Sequence, residues 1–183
     1  FAPDGSLGIA WEGGVCALTP MEAQMNPLCL APETKLILHD SKSALHRLAE
    51  LGLDGREVAF DTALAAYDLN PSQSDYPVSK LATTFLGMTV EDGDAAACAE
   101  AVWLLHQPLA QELDRCGMEQ LYKEIELPLC RVLYKMERRG IAIDREQLAA
   151  FGKMLSGHIA DCEALIYSYS GASFNINSPK QLG

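Results

Sequence analysis

Short apolar runs in the first sixty residues each have the length of one β-strand. Two of them, Leu7–Trp11 and Val15–Leu18, are separated by Glu12-Gly13-Gly14. This spacing predicts a β-hairpin, because glycine accepts the backbone conformation of a tight turn. Two further apolar runs lie at 35–38 and 57–60. The pattern therefore predicts four strands in this part of the chain.

Helical periods follow the strands. The third and fourth strand candidates each lead to an aspartate, Asp40 and Asp61, and aspartate is a preferred cap at the start of a helix. Pro108 is expected to bend or divide the last helix of this part, because proline removes a helical hydrogen bond. The segment from Pro20 to Pro32 predicts a loop. The predicted helices run from Asp40 to Gly52, over Thr62–Leu69, from Pro77 to Gly87 and from Asp92 to Arg115.

From Met118 onward the apolar residues follow the helical period alone. Met118–Arg139 predicts one long amphipathic helix, and Asp144 is placed to cap a second one that ends near Ser170. Ser178-Pro179 has the form of a third helix start. The predicted fold class is therefore α/β over residues 1–117, followed by long α-helices over 118–183. The apolar stripe of the first long helix comprises Leu121, Ile125, Leu129, Val132, Leu133 and Met136.

The negative charge is concentrated in the first part. The 183 residues carry 14 Lys and Arg against 25 Asp and Glu, a formal net charge of −11 at pH 7. Residues 1–118 hold 17 acidic and 6 basic side chains, whereas residues 119–183 hold 8 of each. An acidic surface repels phosphate at long range, so the first part is a poor candidate for gripping DNA, and the second part permits it.

Several classes of protein are not indicated. The six cysteines form no CxxC pair, and the four histidines do not pair at metal-ligand spacing, so no zinc site is predicted. No apolar run approaches the ~18 residues of a membrane span, and no secretory leader is visible. We therefore expect a cytoplasmic chain without a membrane partner.

Four stretches together carry a family signature. Gly140–Asp144, which reads GIAID, is followed about thirty residues later by Phe174–Leu182, which reads FNINSPKQL. Upstream, Val58–Thr62 reads VAFDT and Ala66–Asn70 reads AYDLN. In this order and spacing the stretches resemble the family A DNA polymerases, the bacterial DNA polymerase I type. The resemblance extends over nearly the whole chain.

The resemblance implies a specific architecture. Residues 1–117 would form an RNase H-like, mixed-sheet 3′–5′ exonuclease-type domain, and residues 118–183 the start of the polymerase thumb. The palm, with the Mg²⁺-binding carboxylates, and the fingers would lie beyond Gly183, so no cofactor is expected in this chain and the chain alone is expected to be inactive. It would act in DNA replication and repair, in a bacterial cytoplasm near the nucleoid, with no oligomer required.

The resemblance also indicates that the exonuclease site is degenerate. Proofreading in this family uses two metal ions held by carboxylates. The first motif should lie upstream of Leu7. Counting from Gly52 and Asp61 puts the metal-binding aspartate of the second motif at Ala44, and the aspartate of the third motif falls at Cys98. No catalytic or metal-binding residue is therefore predicted, and the domain is expected to be a scaffold.

Two rival interpretations remain open. An active exonuclease would need Asp40 and Glu100 to supply the missing ligands, although Asp40 also fits a helix cap and Glu100 a solvated acidic face. Alternatively, the chain is a non-enzymatic acidic interaction module with a helical arm. Palm-strand aspartates downstream of Gly183 would favour the polymerase interpretation.

The last motif gathers groups suited to a phosphate backbone at a helix start. The resemblance implies that this part of the thumb lies along the minor groove of primer–template DNA. A structural alternative is that Asn177 and Ser178 only cap the turn and the helix. The predicted DNA contacts are Asn175, Asn177, Ser178, Lys180 and Gln181.

Overall fold

A computed structural model describes residues 1–25, 34–53, 55, 57–172 and 174–182. Strands and helices are mixed up to Leu86, and helices alone follow. The elements are β1 Leu7–Trp11, β2 Gly14–Leu18, α1 Pro20–Met25, β3 Lys35–Leu38, α2 Ser41–Glu50, β4 Glu57–Asp61, α3 Thr62–Leu69, α4 Val78–Leu86, α5 Ala95–Arg115, α6 Glu119–Leu121, a π-helical segment Tyr122–Glu126, α7 Leu127–Arg139, α8 Arg145–Ser170 and α9 Pro179–Leu182.

The strands form two two-stranded sheets in the described part of the chain. β1 and β2 are antiparallel, with Trp11 opposite Gly14, and Gly13 takes a φ of 90° in the turn between them. β3 and β4 are parallel, with an irregular register between Leu36 and Ile37. The predicted hairpin and the predicted mixed α/β class are therefore confirmed.

The predicted loop over Pro20–Pro32 is wrong at its start, because Pro20–Met25 is helical. Thr19 and Glu22 form a reciprocal capping box: the Thr19 N–H donates to Glu22 Oε2 over 2.8 Å, and the Glu22 N–H donates to Thr19 Oγ1 over 3.3 Å. Proline at the first helical position completes this start signal. The rest of the predicted loop, residues 26–32, lies outside the described residues.

Proline affects the two long helices of this part differently. α5 runs without a break through Pro108, so the predicted division does not occur. The helical run 119–139, in contrast, widens to a π-helix just before Pro128, where the Leu127 N–H bonds to the Tyr122 carbonyl. Pro128 has no N–H for the Glu124 carbonyl and would crowd it, and the wider turn relieves this mismatch.

The residues divide into two compact units, Phe1–Arg139 and Gly140–Gly183. The main core of the first unit gathers residues from β4, α3, α4, α5 and the π-helical segment. Residues 119–139 thus belong with the first unit, and the domain boundary predicted after residue 117 lies inside it. That core comprises Phe60, Ala65, Ala66, Leu81, Leu105, Leu109, Leu113 and Tyr122.

The apolar stripe predicted on Met118–Arg139 is not the face that packs. Ile125 is 56% exposed and Met136 62% exposed. The residue of this run that enters the core is Tyr122, at 1% exposure. The packed face is thus set by one deeply inserted aromatic residue rather than by the most apolar stripe.

The second unit begins at Gly140 and contains α8 and α9. The Asp144 carboxylate accepts the Gln147 N–H over 2.9 Å at the start of α8, and Gly171 ends the helix with a φ of 64°. Both predicted helix boundaries are confirmed. Among the described residues of this unit no side chain is buried, and no helix in the described part of the chain is long and apolar enough to cross a bilayer.

Candidate functional site

A cavity of about 700 Å³ lies between β1, β3, α2 and α5. We call it the central cavity. Small residues bring its walls together: a Cβ atom on Gly8 of β1 would lie 1.8 Å from the Ala95 carbonyl oxygen of α5. Gly8 has no side chain, so β1 can pack directly against the start of α5. Any larger residue at this position would clash with the Ala95 carbonyl.

The two degenerate positions meet at this cavity. Ala44 is the fourth residue of α2 and is 8% exposed, and Cys98 is the fourth residue of α5. Both line the central cavity. Positions that the family resemblance assigns to metal ligands therefore face one common space, where this chain offers a methyl group and a thiol.

The Cys98 thiol is a poor ligand for a hard divalent ion. Burial raises the pKa of this thiol, and the nearby Asp92 carboxylate raises it further. The thiol donates a hydrogen bond to the Glu91 carbonyl oxygen over 3.4 Å. The neutral, already bonded sulfur does not supply the anionic oxygen that Mg²⁺ prefers.

Two carboxylates, Asp40 and Asp92, are found among the residues that line the central cavity. Asp40 takes a positive φ of 50° and accepts the Ser43 N–H over 3.4 Å at the start of α2. Asp92 accepts both the Ser79 N–H, over 3.0 Å, and the Ser79 hydroxyl, over 2.6 Å, in the first turn of α4. Both carboxylates thus serve helix starts, which confirms the predicted cap at Asp40.

The sequence predicts Asp61 as the cap of one helix only. In the structure its carboxylate accepts N–H groups at the starts of two helices, α2 and α3. Its Oδ1 accepts the N–H groups of Ala63 and Leu64 in α3, over 2.9 and 3.2 Å, and that of Asp40, over 3.1 Å. Its Oδ2 accepts the Ser41 N–H of α2 over 2.6 Å. The side chain is 2% exposed, so these four N–H groups are its solvation.

Half-buried His39 and buried Thr62 are further polar groups beside Asp61, and sequence reasoning missed their pairing. His39 Nδ1 lies 2.9 Å from Thr62 Oγ1. Burial lowers the pKa of His39, against the raising effect of the Asp61 charge. The imidazole is therefore neutral near pH 7. No periodicity connects positions 39 and 62; the signal is the parallel pairing of β3 with β4.

The cavity residues do not fit a pair of divalent ions. In the described ranges no three His, Cys, Asp or Glu side chains gather as a metal site. Glu100, the second ligand that an active exonuclease would need, is exposed and is not among the cavity residues. Asp40 lies at the cavity and Glu100 does not, so the structure does not bring these two together there.

The predicted DNA contacts lie in a short segment after α8, residues 174–182, which we call the C-terminal hook. The Asn175 N–H donates to Gln181 Oε1 over 2.9 Å, and Asn175 Oδ1 accepts the Asn177 N–H over 3.0 Å. The Tyr167 hydroxyl fixes the hook to α8 by donating to the Phe174 carbonyl over 2.8 Å. Asn177 and Lys180 are exposed and Ser178 is half-buried. The hook thus gathers the five residues, with the amide NH₂ groups of Asn175 and Gln181 left as donors.

Comparisons with known proteins give a consistent result, although no family model matches the chain. The chain is 34% identical to DNA polymerase I of Geobacillus stearothermophilus over 206 aligned residues, covering the whole chain and 24% of that protein. It is 31% identical to DNA polymerase I of Bacillus subtilis over 172 residues, covering 82% of the chain and 19% of that protein. The chain thus spans a quarter or less of these relatives.

A solved structure adds the fold. The POL domain of Pol1 from M. smegmatis, in complex with DNA primer-template and dNTP, matches with a TM-score of 0.80 and 34% identity, over 95% of this chain and 32% of that one. The chain is therefore homologous to part of a DNA polymerase. Its relatives are bacterial DNA polymerase I, which confirms the family resemblance.

Proposed function

We propose that the chain is part of a DNA-directed DNA polymerase I, a nucleotidyltransferase of DNA replication and repair. In this proposal residues 1–117 are an RNase H-like exonuclease-type domain that has lost catalysis and serves as a scaffold. Residues 118–183 begin the thumb and contact primer–template DNA. The homology to DNA polymerase I and the DNA complex of the M. smegmatis relative support the assignment.

One observation carries the loss of catalysis: Ala44 and Cys98 line the central cavity, and its two carboxylates cap helices. A two-metal nuclease needs anionic oxygens at every ligand position to activate water and to stabilise the leaving oxygen. A methyl group supplies none, and a neutral thiol is a weak substitute. The loss of two shared ligands is expected to abolish turnover rather than to reduce it.

The packing of residues 119–139 supports the scaffold role. Tyr122 donates its hydroxyl to the Asp61 carbonyl over 3.1 Å and accepts the Asp61 N–H over 2.6 Å. On the surface, Glu137 of α7 lies 2.7 Å from Lys42 Nζ and 2.8 Å from His46 Nε2 of α2. The former nuclease site is thereby tied to the first helices of the proposed thumb.

Titration calorimetry with Mn²⁺, combined with digestion of a single-stranded oligonucleotide, tests the proposal. We expect no saturable Mn²⁺ binding and no metal-dependent cleavage by the natural chain. The double variant Ala44→Asp/Cys98→Asp restores two carboxylates at the cavity and is expected to bind Mn²⁺ at measurable strength. The matched control carries Ala44→Asn/Cys98→Asn, which has similar size but no added charge.

Robust Mn²⁺-dependent cleavage by the natural chain, removed by Asp40→Ala or by Glu100→Gln, would instead establish the active exonuclease. Cleavage that survives both substitutions would indicate a contaminating nuclease. Ala44→Leu, which narrows the central cavity, tests this: our proposal requires the residual cleavage rate to stay unchanged in that variant.

We propose that the C-terminal hook contacts the DNA backbone through Asn175, Asn177, Ser178, Lys180 and Gln181. One lysine brings little charge and each contact contributes about 1 kcal/mol, so binding by the chain alone is expected to be weak. Amide chemical shifts of the ¹⁵N-labelled chain, titrated with a primer–template duplex at low salt, suit this range.

We expect shifts at residues 174–182 that are lost in Lys180→Glu. Lys153→Glu on α8 has the same charge change at an exposed site outside the hook and serves as the control. Shifts that spare the hook, or that disappear equally in both variants, would contradict the proposed contact and leave the assignment of the central cavity unaffected.

A further inference from the structure

A second cavity, of about 480 Å³, lies between β4 and the helices 119–139. We call it the basic groove. Four cationic residues and one acidic residue line it, within a chain whose net charge is −11. They are Lys35, Lys123, Arg131, Lys135 and Glu57. All four cations belong to the first unit, and one of them, Lys35, also lines the central cavity.

Two of the four cations are already paired. Lys35 Nζ lies 3.5 Å from Glu57 Oε1, and Lys123 binds Glu119 one helical turn away. Arg131 and Lys135 have no ion pair within the described residues, and both are exposed. Spaced four residues apart on α7, they lie side by side and repel each other. An anion held between them would remove this repulsion.

The groove also contains an unsatisfied buried hydroxyl. Ser41 lines the groove and is 1% exposed, so it lies at the floor rather than at the rim. Its backbone N–H is bonded to Asp61, but no hydrogen-bond partner of its Oγ is found among the described residues. A buried hydroxyl without a partner costs free energy, and a ligand oxygen at the floor would satisfy it.

The thiol beside Ser41 adds no negative charge. Burial raises the pKa of Cys130, and the Ser41 hydroxyl beside it lowers this pKa in part, although the two groups do not reach hydrogen-bond geometry. The thiol is therefore neutral near pH 7. The groove thus combines a neutral polar floor with an excess of cations on its walls, which suits an anion with several oxygen atoms.

We propose that the basic groove binds a phosphate group, with Arg131 and Lys135 as the charged contacts and Ser41 as the hydroxyl donor at the floor. The phosphate can come from a free anion or from the backbone of a single strand, since both present the same oxygens. The site does not depend on the proposed inactivity of the exonuclease-type domain or on contacts by the C-terminal hook.

The test uses the full 183-residue chain, ¹⁵N-labelled, titrated separately with inorganic phosphate, pyrophosphate and a single-stranded oligonucleotide. We expect saturable amide shifts at residues 41, 123–135 and 57–59. Arg131→Gln/Lys135→Gln should weaken binding at least tenfold, and Arg138→Gln/Arg139→Gln, which removes two charges from the same helix outside the groove lining, should change it less than twofold. For the oligonucleotide, the first pair should reduce the salt slope of log K by about 1.4.

Ser41→Ala separates binding from folding. Because no described residue is a hydrogen-bond partner of its Oγ, the substitution is expected to leave the unfolding midpoint unchanged or slightly raised while it weakens phosphate binding several-fold. Saturation by the free anions identifies a small-anion site, and saturation by the oligonucleotide alone identifies a backbone site; both support the proposal. It is overturned if no phosphate probe shifts these residues, if the two double variants behave alike, or if an acidic peptide binds there and phosphate does not.

Discussion

The two compact units of the chain bury their side chains very differently. In Phe1–Arg139, Leu105 and Leu109 are fully buried and Tyr122 is nearly so, at 1% exposure. In Gly140–Gly183, the 26-residue helix α8 has no buried residue, and Phe151 remains 55% exposed. A helix without tertiary contacts is only marginally stable. The first unit is therefore stabilised by its own buried core. The second unit has no such core, and its stability depends on helix capping and on burial of its apolar side chains by other groups.

The largest expected difference between the units concerns two capping aspartates. Asp61→Ala removes the acceptor of four N–H groups at the starts of two helices, one of them buried and three partly buried, and we expect it to lower the free energy of unfolding by about 3–4 kcal/mol. Asp144→Ala removes the acceptor of one exposed N–H and should cost about 1 kcal/mol or less. Urea unfolding followed by circular dichroism measures both.

Equal effects of the two substitutions would contradict this prediction. If Asp144→Ala lowers the main unfolding transition as much as Asp61→Ala does, the second unit is not the independent, locally held segment described above. Similar denaturant slopes for the natural chain and both variants are needed for this comparison of midpoints.

A second pair of variants compares two tyrosine hydroxyls. Tyr122→Phe leaves both the N–H and the carbonyl of Asp61 without their partner in the core, which is expected to cost about 2 kcal/mol. Tyr167→Phe removes one bond, to the half-buried Phe174 carbonyl, for which water can substitute, and about 0.5 kcal/mol is expected. Equal costs in thermal unfolding would indicate that burial does not separate the two units energetically.

Asp68 is expected to make the stability of the first unit depend on pH. Asp68 is 9% exposed, its Oδ2 has no partner among the described residues, and burial followed by the charge of Glu126 raises its pKa to about 6. Because the unfolded pKa is about 3.9, the ionised form destabilises the fold: the penalty is absent below pH 4 and complete above pH 6. We expect it to reach about 1–2 kcal/mol after solvent screening.

Asp68→Asn should therefore raise the unfolding midpoint at pH 7.5 and have little effect at pH 4. Asp161→Asn, at an exposed position of α8, is expected to be neutral at both. A stabilisation by Asp68→Asn that is equal at the two pH values would show that the amide improves packing and that ionisation is not the cause.

The elements that local pattern determines could be predicted from the sequence. The hairpin needs only two apolar runs and a glycine turn, and the caps at Asp40, Asp61 and Asp144 need only an acidic residue before a helical period. The start of α1 was equally local, since Thr19-Pro20-Met21-Glu22 is a capping box, but the later prolines in that segment outweighed it in the prediction.

Features that depend on tertiary partners could not be predicted. The apolar stripe containing Ile125 and Met136 pointed to the wrong packed face, because periodicity does not reveal where a large side chain such as Tyr122 inserts. The second helix served by Asp61 and the pairing of His39 with Thr62 follow from the β3–β4 register. Counting along the chain did bring Ala44 and Cys98 to one cavity, but their lost ligand roles stay a prediction.

The smallest expected effect concerns the surface contact between α2 and α7. Hydrogen bonds from Lys42 and His46 lower the pKa of Glu137, so its stabilising contribution is present at neutral pH and lost as the pH falls through the folded pKa, the opposite direction to Asp68. Because these side chains are largely exposed and screened by salt, Glu137→Gln should shift the melting temperature less than Tyr122→Phe, and not at all in 1 M NaCl. Glu163→Gln on α8, which has no ion pair in the described part of the chain, should be silent at either salt concentration. A Glu137→Gln effect that persists at high salt would mean that the contact acts through packing rather than charge.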